Sequence, residues 1–166
     1  MKHPDKKQPG LGSNETGDYR GEFLVAPVSH IWLPRISDID KTWNSKPWSQ
    51  ASFERELASP AARVRGVYVS GDLIGYLVAH VVLDEAHIVT LGIDPAWRRK
   101  GAGRVLLADF IAAARAEGVV AVTLEVRALN EAAQALYRSE GFVPAGLRRE
   151  YYTNNGEDAV IMRLAL

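Results

Sequence analysis

From Glu22 onward, short apolar runs alternate with segments whose apolar residues recur every three or four positions, and each change of period marks an element. Phe23 to Val28 is an apolar run and reads as a first strand. Ile31, Trp32, Ile36, Ile39 and Trp43 follow at spacings near three and four, the stripe of an amphipathic helix that Pro34 starts or bends. After Pro47-Trp48-Ser49, Ser49 serves as N-cap of a second helix carrying Phe53 and Leu57 and ending before Pro60. Two apolar runs, Val64 to Ser70 and Leu73 to Leu83, are joined by Gly71-Asp72, a pair suited to a hairpin turn. Asp84-Glu85 sets off a third run, Ala86 to Ile93, so three strands are expected as an antiparallel meander.

The pattern then changes to Leu106, Leu107, Phe110, Ile111 and Ala114, one face of a helix that Gly118 terminates. Val119 to Val126 reads as a buried strand interrupted by one charge, Glu125. It follows a helix that follows a strand, which predicts a right-handed crossover and parallel pairing with Ala86 to Ile93. Asn130 caps a short helix containing Leu136 and Tyr137, closed by Gly141, and Phe142 to Tyr152 with Ala159 to Leu164 form a last hairpin around Asn155-Gly156. The expected fold is a mixed α/β (α+β) domain over residues 22–166: a largely antiparallel sheet of about seven strands flanked by about four helices.

Composition narrows the function classes. Met1 to Gly21 has almost nothing to bury and reads as a disordered tail. With 20 basic and 20 acidic residues the net charge is zero, so no global field draws nucleic acid or an anionic membrane to the chain. The sequence has no cysteine, which removes disulfides, thiolate catalysis and cysteine-bound zinc. His80 and His87 stand at no zinc-ligand spacing and read as spectators, so no metal is expected. No run approaches the roughly 18 apolar residues of a membrane span, and the N-terminal segment lacks the apolar core of a signal peptide, so a cytoplasmic location is expected.

The densest chemistry lies in Thr90 to Arg104, where an apolar strand passes through a cationic, glycine-bearing turn into a helix. The first amides of such a helix have no intrahelical acceptor, and the helix dipole adds positive charge beside them. The turn is therefore an anion site, most naturally for phosphate. Gly101 and Gly103 let the ligand approach the backbone, and Arg98, Arg99, Lys100 and Arg104 add cations, some of which face water.

Arg98-x-x-Gly101-x-Gly103, placed between a fourth strand and a third helix, resembles the GCN5-related N-acetyltransferase (GNAT) superfamily, in which this turn binds the pyrophosphate of acetyl-CoA. Leu83-Asp84-Glu85-Ala86, Leu124-Glu125-Val126-Arg127, Asn130, Ala135-Leu136-Tyr137, Gly141-Phe142, Arg148-Arg149, Tyr151-Tyr152 and Glu157-Asp158-Ala159 narrow the resemblance to the RimI-type ribosomal-protein alanine N-acetyltransferases. The resemblance implies direct acetyl transfer from acetyl-CoA to a protein N-terminus, alanine of a small-subunit ribosomal protein, by a monomer or weak dimer. It implies Glu125 as general base and Tyr137 as general acid. It assigns Arg98 and the amides of Lys100, Gly101, Ala102, Gly103 and Arg104 to the diphosphate, and leaves Arg99 or Lys100 for the nucleotide's further phosphate. Asn130 and Tyr137 approach the cofactor, and Leu91, Gly92 and Ile93 line its pantetheine arm, with Gly92 permitting a bulge.

Amine chemistry asks for such an acid–base pair, because the amine attacks only when neutral and the leaving thiolate gains a proton. Flanked by Leu124 and Val126, Glu125 is expected to be walled by apolar groups that raise its pKa. Arg127 and Arg148 are alternative partners that would make it a structural carboxylate. Deprotonating an α-amine at pH 7 costs roughly 1.4 kcal/mol against roughly 4.6 for lysine, which favours an N-terminal acceptor. Trp48, Tyr151 and Tyr152 are candidate walls of the acceptor groove, and Glu85 is a candidate ligand for the amine. Acetylation of lysine or of a small-molecule amine stays open at this point, as does acyl-CoA binding without turnover.

Overall fold

A computed structural model describes residues 22–166; the tail expected over Met1 to Gly21 lies outside them. The elements run β1 (Leu24–Pro27), α1 (Leu33–Lys41), α2 (Gln50–Ala58), β2 (Ala62–Val69), β3 (Asp72–Val82), β4 (Glu85–Ile93), α3 (Ala102–Ala116), β5 (Ala121–Arg127), α4 (Glu131–Ser139), β6 (Val143–Tyr152) and β7 (Glu157–Ala165). This is the expected order, and the mixed class with seven strands and four α-helices holds. Pro34 sits in the first turn of α1, where its missing N–H is no loss. Ser49 caps α2 by accepting from the Ser52 N–H, and Asn130 caps α4 by accepting from the Ala133 N–H.

Two turns are displaced by one residue from their sequence reading. Val69 pairs with Asp72, so the β2–β3 loop is Ser70-Gly71, both at positive φ (51° and 87°), as a two-residue hairpin of matching twist requires. Val82 pairs with Glu85, so the next loop is Leu83-Asp84, with Leu83 at φ 56°. The last hairpin closes on Tyr152 and Glu157 and needs four loop residues, not Asn155-Gly156 alone.

The strands form one sheet in the order β1-β2-β3-β4-β5-β7-β6, antiparallel except for the β4–β5 pair. Insertion of β7 between β5 and β6 leaves β6 as an exposed edge. One face carries α3, whose Leu106, Leu107, Phe110, Ile111 and Ala114 bury themselves against Ile74, Leu77, Val122 and Leu124. The opposite face carries α1 and α2, with Ile36, Ile39 and Phe53 against Leu73, Tyr76 and Val78. Among the described residues no helix is long and apolar enough to cross a membrane.

Candidate active site

The parallel pair is short. β4 and β5 are in register only from Glu85↔Ala121 to Ile88↔Leu124, although β4 runs on to Ile93 and β5 to Arg127. From Val89 the strands part, and the β5-facing edge of β4 opens. The Asp94 N–H donates to the Ile74 carbonyl on the β3 side (2.8 Å). Strand alternation then turns the N–H groups of Leu91 and Ile93 toward the opening.

A bulge helps to shape this region. Val78 pairs with Thr90 but Ala79 with Ile88, which leaves Val89 as the extra residue of β4. The sequence reading put the bulge at Gly92; the structure moves it three residues upstream. The insertion reverses the alternation, so Ala86 and Ile88 before it, and Leu91 and Ile93 after it, pack on the α3 side. Gly92 serves packing instead: a Cβ there would lie 2.5 Å from Trp43 Nε1 and 2.8 Å from Tyr76 Cε1.

Beyond β4 the chain enters the cationic turn. Gly101, the N-cap of α3, has φ 90°, and the first bond of that helix runs from the Val105 N–H to the Gly101 carbonyl (3.0 Å). Among the described residues, the N–H groups from Arg99 to Arg104 donate to no protein acceptor. A ligand's diphosphate would satisfy that row, so the donor set fits the group. A Cβ on Gly103 would come within 3.3 Å of Leu136 Cδ2, so this glycine lets α3 lie close to α4.

The cations are mostly committed elsewhere. Arg98 donates to the Ile93 carbonyl (3.1 Å) and Thr42 Oγ1 (3.0 Å), bracing the end of β4 against α1. Arg104 pairs with Glu140 at 2.8 Å, and the Lys100 ammonium lies 5.3 Å from the Trp97 ring centre.

Glu125 is the first β5 residue past the last β4 pair. Leu124 and Val126 point into the α3 core, so they do not wall its carboxylate as the sequence suggested. Its side chain, 14% exposed, meets His87 Nε2 at 2.8 Å through Oε2 and Arg148 Nη2 at 3.5 Å through Oε1. His87, expected to be a spectator, is thus in direct contact with the candidate base; His80 in turn contacts Glu56 at 2.7 Å. The signal for His87 was strand parity, legible only once its pairing with Thr123 is known.

Tyr137 lies on α4, its ring buried against Phe142. Burial first, and the charge of Tyr152 second, push its phenol up to about 12, which keeps it protonated near neutral pH, as a proton donor must be.

The remaining candidates divide. Tyr151 and Tyr152 meet edge to face at 5.2 Å, with the Arg127 guanidinium 3.8 Å from the Tyr152 ring centre and Arg148 5.5 Å from that of Tyr151. Burial raises the Tyr152 phenol, against the opposing charge of Arg127. Trp48 packs on Phe53 at 5.1 Å and belongs to the α1–α2 core more than to a groove wall. Glu85 begins β4, paired with Arg163 at 3.4 Å, roughly 13 Å of strand from where the sheet opens.

Sequence reasoning also missed a buried carboxyl group. Asp40, fully buried on α1, accepts from the Tyr76 hydroxyl (2.6 Å) and the Trp48 N–H (2.7 Å), and Tyr76 in turn lies 3.3 Å from Thr90 Oγ1. The signal was present: Asp40 occupies the apolar stripe of Ile36, Ile39 and Trp43. Burial, and then the bond to Asp40, hold the Tyr76 phenol far above its ordinary value.

Residues 33–142 match the model of the acetyltransferase (GNAT) family, and the chain belongs to that family. Membership makes it an N-acetyltransferase of the class that draws its acyl group from acetyl-CoA. Within the family its relatives include RimI-type enzymes. The chain is 46% identical over 121 residues to the N-alpha-acetyltransferase RimI of Mycobacterium tuberculosis, covering 70% of this chain and 75% of that one. It is 39% identical over 146 residues to the [ribosomal protein bS18]-alanine N-acetyltransferase of Salmonella typhimurium, covering 86% and 97%. The crystal structure of the ribosomal-protein-S18-alanine N-acetyltransferase from Escherichia coli superposes with a TM-score of 0.80 at 35% identity, over 87% of this chain and 94% of the other.

Proposed function

We propose that this chain transfers acetyl from acetyl-CoA to the α-amine of a protein N-terminus, with the alanine of ribosomal protein bS18 as its acceptor. The names of its relatives support the acceptor. One observation carries the mechanism: the only carboxylate on β5 stands where β4 and β5 part, while a buried, protonated tyrosine comes from the helix that follows β5.

The cosubstrate supplies a thioester that a neutral amine can attack. Glu125 removes the proton of the incoming ammonium, and the Tyr137 hydroxyl returns one to the departing sulfur. The N–H groups of Leu91 or Ile93 donate to the carbonyl oxygen as its charge grows. The amides from Lys100 to Arg104, with Arg98 behind them, hold the diphosphate. Arg99, with no side-chain hydrogen bond or ion pair among the described residues, is left for the further phosphate. Tyr151 and Tyr152 flank the acceptor, and Asn130 orders the start of α4 beside the cosubstrate.

The test is mass analysis of two peptides incubated with acetyl-CoA: one starting with the bS18 N-terminal alanine and carrying blocked lysines, the other N-terminally blocked with free lysines. Acetylation of the first alone is expected. Modification of the second alone would transfer the activity to lysine, and none in either would leave an acyl-CoA binder. Glu125→Gln should lower kcat about a hundredfold or more while leaving acetyl-CoA binding intact; an unchanged kcat removes Glu125 as the base.

A further inference from the structure

Glu125 has no β4 residue directly across from it, because the pairing ends one position earlier. A base in that position needs another restraint, and β4 supplies one from behind. His87 is in register with Thr123, two residues before Glu125 on the same face of β5, so its imidazole reaches both. Nδ1 lies 3.0 Å from Thr123 Oγ1 and Nε2 2.8 Å from Glu125 Oε2.

The proton positions follow from chemistry. An ionised carboxylate only accepts, so the ring nitrogen 2.8 Å from it, Nε2, is the one that carries hydrogen, in a close electrostatic contact and not an aligned hydrogen bond. In the neutral ring Nδ1 is then an acceptor, and the Thr123 hydroxyl donates to it. The opposite tautomer would set a lone pair against the carboxylate at 2.8 Å. All three residues stand on paired strands, whereas the other contact to Glu125, Arg148, comes from the exposed edge strand at 3.5 Å.

We propose that His87 is a positioning residue for the reaction: its Nε2–H holds the Glu125 carboxylate toward the opening of the sheet, and Thr123 fixes the tautomer that lets it do so. The inference rests on Glu125 being the base.

Two conservative variants separate this from a plain structural pair. The amide nitrogen of His87→Gln takes the place of Nε2, whereas that of His87→Asn takes the place of Nδ1. With the alanine peptide and acetyl-CoA each varied up to saturation, His87→Asn should lower kcat about ten- to a hundredfold, with KM for both substrates within about twofold, and His87→Gln should stay within about threefold of wild type. On a Glu125→Gln background neither change should have further effect, since there is no anion left to hold. Thr123→Val, which keeps the shape of the side chain, should lower kcat on the wild-type background only, and it carries the test if His87→Asn does not fold. Full kcat in His87→Asn, equal loss in Asn and Gln, or a loss that persists on the Glu125→Gln background would each overturn the inference. If Glu125→Gln itself keeps full kcat, the base assignment fails first; if it loses activity while folded His87→Asn does not, only the positioning role falls.

Discussion

At the scale of single residues, Tyr137 and Gly92 show how burial decides a role that residue type leaves open. Tyr137 has a phenol raised to about 12, chiefly by burial, so it stays protonated across the working range and cannot be the origin of a basic limb below about pH 11. Tyr137→Phe should lower kcat about a hundredfold and leave the shape of the profile between pH 8 and 10 unchanged. A wild-type basic limb in that range that disappears in the variant would contradict the assignment. Gly92 is required by close approach and not by its φ. Gly92→Ala drives a methyl into Trp43 and Tyr76, an overpacking expected to cost about 1–3 kcal/mol. Thermal unfolding should show it as a midpoint lower by several degrees; an unchanged midpoint would mean that the Trp43 indole can move aside freely.

At the scale of elements, the stretch between α1 and α2 is held from below by one buried carboxylate. Asp40 accepts from the Trp48 N–H, from the Tyr76 hydroxyl and from Asn44 Nδ2 at 3.2 Å, so it joins α1, the connecting loop and β3. That loop is also tied to the β6–β7 turn, where Lys46 Nζ donates to Thr153 Oγ1 at 2.7 Å. Asp40→Ala leaves a buried hydroxyl and an amide without their acceptor, with an expected loss of about 2–4 kcal/mol. Chemical denaturation should read that loss, and proteolysis should cut first between Thr42 and Trp48. Wild-type stability in the variant would show that water replaces the carboxylate.

At the scale of the whole molecule, the α3 layer is fastened to the sheet by charge as well as by its apolar stripe. Arg63 on β2 grips Glu117, just past the end of α3, through Nη2 at 2.7 Å and Nε at 3.0 Å. Those hydrogen bonds first, and then the charges of Arg63 and Arg65, hold the Glu117 carboxyl below its ordinary value despite some burial. A carboxyl depressed in the folded state binds its proton more readily when unfolded. Its contribution is therefore full above the ordinary carboxylate range and is lost as pH falls through the depressed value. Both side chains are about a third exposed, so the effect is modest and weakened by salt. Arg63→Gln should lower the unfolding midpoint at pH 7 and converge with wild type near pH 2; an equal deficit at both pH values would assign the loss to packing instead.

Much of the fold was legible because it rests on local rules. The α3 stripe, the Ser49 and Asn130 caps and the crossover from β4 through α3 to β5 follow from period, capping chemistry and handedness, all written in contiguous residues. The hairpin turns were misplaced by a single residue because two-residue loops depend on the register of both flanking strands. For the site, the sequence alone determined a helix start with unpaired amides behind Gly101, and a charge inside an apolar strand at Glu125. It did not determine what touches that charge. Leu124 and Val126 adjoin Glu125 in sequence yet face the opposite side of the sheet, while His87 and Arg148, distant along the chain, reach the carboxylate. Strand parity sends neighbours apart, and only the pairing of β4 with β5 and the insertion of β7 between β5 and β6 bring these contacts together.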